Sequence, residues 1–188
     1  MLRSLPMATL GPLLAIGVAA CAGPSSQDDA IRTIRIYDLL RAFPRAKREA
    51  YPGYASSGAF SVNEQVRPGL FLHPSGAVVF PPVRVSAESV LSFRIGMIDD
   101  AWEKEGDGVE FSVFVQRMSN ASTKIFSRYI DPKHRTDDRR WFEEKVRLRQ
   151  FGDQEIRIML ATGPGPANDF SYDWAVFGEP QIMLDPSN

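Results

Sequence analysis

The sequence predicts a mainly β protein: an antiparallel β-sandwich or jelly roll that carries one short N-terminal amphipathic helix. Apolar residues take alternate positions in Leu91-Ser92-Phe93-Arg94-Ile95-Gly96-Met97. They do so again in Val109, Phe111, Val113 and Val115 against Glu110, Ser112 and Gln116. This is the period of a half-buried strand. Clusters of Pro, Gly, Asn and Asp cut the rest of the chain into similar short segments. No helical period lies between them, which suits antiparallel pairing in two packed sheets rather than a parallel α/β fold. A chain of 188 residues, 44% hydrophobic and 24% charged, has the length and composition of one domain with a packed core.

Taken in order, residues 1 to 20 read MLRSLPMATLGPLLAIGVAA, with Arg3 as the one charge. The apolar run is short for a membrane span, holds Pro6 and Pro12, and ends in small residues, as a cleaved export signal does. Val18-Ala19-Ala20-Cys21 resembles the lipobox of bacterial lipoproteins, with Val at its first position. That resemblance implies cleavage before Cys21, diacylglycerol on its thiol and acylation of the new amino group. The mature protein would then be anchored to the cell envelope without spanning a membrane. Two or three acyl chains, each methylene contributing about 0.8 kcal/mol, make such an anchor stable. Ala22, where Asp would signal inner-membrane retention, favours the outer membrane in a Gram-negative organism. Residues 21 to 30 are the lipidated cysteine and its tether, at most about 30 Å long when extended.

Residues 31 to 50 form a basic segment in which Ile36, Leu39, Leu40 and Phe43 recur at helical spacing, with Pro44 as a limit. Arg32, Arg35, Arg41, Arg45, Lys47 and Arg48 outnumber Asp38 and Glu49 there. These cations read as a solvated helix face, or as a cluster drawn to anionic headgroups. Residues 51 to 188 form the sandwich. Residues 51 to 59 read as a loop, and strands are expected near 60 to 66, 69 to 73, 77 to 85, 91 to 97, 109 to 116, 123 to 130, 141 to 149, 155 to 161 and 174 to 184.

Composition narrows the chemistry. Lys plus Arg number 22 against 23 for Asp plus Glu, a net charge of −1 that gives no field for nucleic acid. One cysteine and two histidines leave little for a disulfide, a zinc site or a histidine-based triad. No acidic pair is framed as a glycosidase acid and base, and no G-x-S-x-G accompanies His134. A non-catalytic protein is expected.

Several segments then carry a resemblance. They are Arg67-Pro68-Gly69-Leu70-Phe71-Leu72-His73-Pro74, Asp107-Gly108-Val109-Glu110-Phe111, Phe126-Ser127-Arg128-Tyr129-Ile130-Asp131-Pro132, Asp138-Arg139-Arg140-Trp141, Thr162-Gly163-Pro164-Gly165-Pro166 and Tyr172-Asp173-Trp174-Ala175-Val176-Phe177-Gly178-Glu179-Pro180. In this order they resemble galactose-binding-like jelly-roll modules of bacterial envelope proteins, which are similar to carbohydrate-binding modules. The residues themselves suit a sugar platform. Trp174, with Asp173, Trp141, Arg140 and Arg128, would offer an indole face to a pyranose and charged groups to its hydroxyls. A Trp beside a strand end more often fills the core edge, with its N–H at the rim. The resemblance also implies a structural Ca²⁺ that would recruit Glu179. The acidic loop Asp99 to Asp107 lacks D-x-D-x-D-G spacing and reads as solvated. A lipid-anchored module that binds a glycan is therefore expected, or alternatively one that docks another envelope protein.

Overall fold

The computed structural model describes residues 34–49, 54–119 and 121–185. Cys21, the signal and the tether lie outside them. The described chain is a sandwich of two antiparallel sheets with one helical turn, in the jelly-roll arrangement. Among the described residues no helix is long and apolar enough to cross a membrane.

The first sheet runs β10 (Phe142–Arg147), β7 (Ser89–Met97), β12 (Ala175–Leu184), β4 (Gln65–Leu72), β3 (Ala55–Val62). β1 (Ile34–Asp38) pairs with β12 along 181–184, while β4 pairs with it along 176–178, so both use the edge that β7 leaves open. The second sheet runs β2 (Lys47–Glu49), β5 (Gly76–Val79), β11 (Glu155–Pro164), β8 (Val109–Arg117), β9 (Ser122–Ile130), with β6 (Val83–Arg84) also on β11. The alternating residues meet between the sheets as expected. Leu91, Phe93, Ile95 and Met97 face Val109, Phe111, Val113 and Val115 in one buried core. Phe177 joins the two sets, its ring 5.9 Å from Phe93 and 5.2 Å from Phe111. Burying such side chains is worth about 1.5–3 kcal/mol each.

The helix is much shorter than the basic segment that suggested it. Ile36 lies in β1, whose backbone is drawn into the sheet by β12. Asp38 then accepts a bond from the Arg41 backbone N–H at 3.1 Å, capping α1 (Leu39–Ala42). A 3-10 turn with Pro44 leads at once to β2. Two other boundaries move. Residues 55–59, read as loop, are the first five of the eight residues of β3, a stretch whose small side chains give no apolar alternation. Its turn is at Asn63-Glu64, both with positive φ (53° and 61°), as a tight hairpin twist requires. The expected strand 77–85 divides at Pro81-Pro82, which cannot donate to the ladder.

Candidate functional site

Registers fix where the connections go. Met97 pairs with Ala175, Ile95 with Phe142, and Val109 with both Ile130 and Pro164. The β7–β8, β9–β10 and β11–β12 connections therefore gather at one end of the sandwich. They bring together Trp102, Lys133, His134, Phe170, Tyr172, Asp173 and Trp174.

At the centre of this end is a buried ion pair. Lys133 Nζ lies 3.1 Å from Asp173 Oδ1, with side chains 2% and 0% exposed. The ammonium also donates to the carbonyls of Glu105 at 2.5 Å and Ser171 at 2.6 Å, so one cation ties all three connections. Gly106 makes room for it at φ +117°, where a Cβ would fall 2.2 Å from Nζ. Burial pushes the Asp173 carboxyl up to about 6 although Lys133 opposes the shift. Its Oδ2 is buried and has no hydrogen-bond partner among the described residues. Asp173 is thus structural and presents nothing to a solute.

The residues on either side of it do. Tyr172 is 41% exposed and Phe170 39%. Trp174 is half-buried against the core, its ring 5.9 Å from that of Tyr172. Tyr172 adopts φ 51°, an unusual backbone for an aromatic, and the Trp174 N–H returns to the Tyr172 carbonyl at 2.9 Å. An aromatic surface with a fixed backbone suits the apolar face of a ring-shaped solute. His134 stands exposed at the same end, its Nδ1 3.0 Å from Asp131 Oδ2.

The other expected platform residues lie elsewhere. The Trp141 benzo ring covers Gly96 and Gly178 on the outer face of the first sheet, where a Cβ would come within 3.2 and 2.9 Å of it. Its indole N–H donates to the Gln65 carbonyl at 2.9 Å. Trp141 is therefore a wedge between the sheet and the β3–β4 hairpin. Arg128 and Arg140 both lie on the Phe142 ring, at 4.0 and 4.5 Å. Arg128 also pairs with Glu144 at 2.5 Å, joining edge strands of the two sheets. Trp174 and Asp173 come together, whereas Trp141 covers the face of the first sheet and Arg140 and Arg128 lie on Phe142 at its edge.

Glu179 sits at the irregularity in β12 with φ 48° and accepts bonds from Arg67, at 3.3 Å, and from Arg94. Two guanidiniums around one carboxylate are the electrostatic reverse of a Ca²⁺ site. Among the described residues no group of three His, Cys, Asp or Glu is placed to hold a metal.

Sequence reasoning passed over Phe170 and Tyr172, although aromatics at 170, 172 and 174 form an alternating set in a connection that is not a strand. Lys133 offered no signal, since its partner is forty residues away.

No family model matches the chain. An uncharacterized protein of Archaeoglobus fulgidus is 36% identical over 131 residues, 66% of this chain and 33% of that protein. The chain thus spans about a third of the length of the curated relative it matches. Among solved structures, CBM51 from Clostridium perfringens GH95, in complex with methyl-galactose, is similar with a TM-score of 0.56 at 11% identity. The match covers 80% of this chain and 99% of that one. CBM51-2 with INT domains from Clostridium perfringens ZmpB, in complex with GlcNAc, is similar with a TM-score of 0.51 at 13% identity, over 81% and 32%. These likenesses establish the jelly-roll sandwich as the fold of this chain.

Proposed function

We propose that the protein is a cell-envelope lipoprotein, anchored through acyl chains on Cys21 and favouring the outer membrane, whose jelly roll is a non-catalytic glycan-binding module. The observation that carries the binding reading is the Tyr172 ring, 41% exposed and packed beside Trp174. The buried Lys133–Asp173 pair holds its backbone from below. A preorganised aromatic surface loses little side-chain freedom when a pyranose stacks on it. Sugar complexes of modules with the same fold support the class of ligand. The anchor rests on the Val18-Ala19-Ala20-Cys21 sequence.

Glycan-array binding by residues 22–188 tests the module. Tyr172→Ala, an exposed position, should abolish binding with an unchanged unfolding midpoint, and Trp174→Ala should do the same with a lower midpoint. Binding that survives both substitutions ends this reading. Mass spectrometry of the membrane-extracted protein tests the anchor, which is wrong if Cys21 carries no lipid. A protein partner recovered by crosslinking in membranes, with no glycan bound on any array, would transfer the role to docking of another envelope protein.

A further inference from the structure

The second sheet has a cavity of about 630 Å³ at the end opposite the aromatic loops, and its charge is unbalanced. Arg45, Lys47, Gln116 and Arg157 line it on the polar side, and Val79, Pro81 and Pro82 give it an apolar wall. Register brings these residues together: Lys47 lies opposite Val79, and Arg157 opposite Gln116. One carboxylate, Glu49, also lines the cavity, and it is taken by Lys47 at 2.9 Å. Neither Arg45 nor Arg157 forms an ion pair among the described residues. Among the described residues, two guanidiniums without an acidic partner thus share one concave site.

We propose that this cavity binds the anionic group of an acidic sugar, a uronate carboxylate or a sulfate ester. Arg45 and Arg157 contact the charge, Gln116 bonds ring hydroxyls, and the Val79–Pro82 wall packs on the pyranose. A guanidinium offers paired N–H donors that match a carboxylate or sulfate. The apolar wall and the concave shape favour a sugar ring over the flat headgroup layer of a membrane, whose attraction needs only surface charge. An apolar stripe continues away from the cavity across the sheet, because Val79 lies opposite Met159 and Met159 opposite Phe114. The stripe spans three strands, about 10 Å. This site is separate from the aromatic loop end and does not depend on sugar binding there.

Calorimetric titration of the full chain with an oligogalacturonate, its methyl-esterified neutral form and a sulfated oligosaccharide tests the inference. Vesicles of anionic phosphatidylglycerol form a further arm. The expected result is binding of the acidic oligomers that weakens as salt rises, is at least tenfold weaker for the neutral form, and is lost in Arg45→Gln/Arg157→Gln. The double variant should keep its unfolding midpoint, and Tyr172→Ala should leave this binding unchanged. Equal affinity for acidic and neutral oligomers overturns the inference, as does acidic binding that survives the double substitution. Arginine-dependent binding of vesicles without any oligomer binding also overturns it and makes the surface a membrane contact.

Discussion

The Lys133 ammonium reaches the Asp173 carboxylate across forty residues of sequence, and both side chains are sealed from solvent. The pair is the point at which the β7–β8, β9–β10 and β11–β12 connections are tied, since Nζ also bonds the carbonyls of Glu105 and Ser171. Removing one partner of a buried pair leaves a charge without compensation, at a cost of about 3–5 kcal/mol. Lys133→Met should therefore lower stability by that order in a denaturant titration. It should also weaken any ligand held at Tyr172. A loss below about 1 kcal/mol would show that the loop end holds itself together without this cation.

The same pair makes stability depend on pH. The Asp173 carboxyl stands at about 6 in the folded protein against 3.8 for the free group, because burial disfavours its charge. A folded-state value above the unfolded one gives stability that is fully present below pH ~4 and is lost as pH rises through about 6. The whole change is on the order of 3 kcal/mol. Asp173→Asn keeps the group neutral at every pH. The wild type should lose stability relative to Asp173→Asn between pH 4 and 7, and Lys133→Met should move the Asp173 titration higher still. An NMR midpoint for Asp173 at or below 4 would contradict this assignment.

The outer face of the first sheet leaves Glu179 no vacancy for a cation. Glu179 is held by Arg67 and Arg94, and Arg94 also bonds Glu143, so the carboxylates there are already neutralised by guanidiniums. Addition of millimolar Ca²⁺, or its removal by a chelator, should leave the unfolding midpoint unchanged. Arg94→Met should lower it, because both Glu179 and Glu143 lose a donor. A Ca²⁺-dependent rise in the midpoint that disappears in Glu179→Gln would reverse this conclusion.

Much of the fold was legible because the core strands are amphipathic with period 2. Leu91 to Met97 and Val109 to Val115 place every second residue between the sheets. Legibility failed where local pattern and long-range pairing disagree. Ile36, Leu39, Leu40 and Phe43 have helical spacing, yet hydrogen bonding to β12 takes residues 34–38 into a sheet. Ser56, Ser57 and Gly58 carry no apolar signal, but their backbones complete an edge strand. At the candidate site Trp174 was visible as an aromatic in a connection. The burial of Asp173 was not, because only the folded chain brings Lys133 beneath it. Trp141 misled for a related reason: two glycines on other strands, Gly96 and Gly178, create the groove that its ring fills.

That groove gives the sharpest separation between structure and ligand binding. The β3–β4 hairpin tip is held against the outer face of the first sheet by the Trp141 indole bond to Gln65. Val62, 0% exposed, packs over Gly96 beneath it. Asp99 completes the attachment, accepting from Ser61 Oγ and from the Asn63 backbone N–H, each at 2.5 Å. Trp141→Ala should cost about 2–3 kcal/mol, below the range for a fully buried Trp because this ring is half-exposed. It should also speed hydrogen exchange at the Asn63 and Glu64 amides far more than in the core strands. Asp99→Ala should produce the same local opening at a smaller cost, since it removes hydrogen bonds without removing packed area. Both residues lie in connections at the loop end, but their side chains reach toward the β3–β4 hairpin, so ligand affinity at Tyr172 and Trp174 should stay within about twofold of wild type, well under 1 kcal/mol. If Trp141→Ala abolishes sugar binding while the hairpin amides keep their protection, Trp141 is a contact residue after all and the platform extends onto this face.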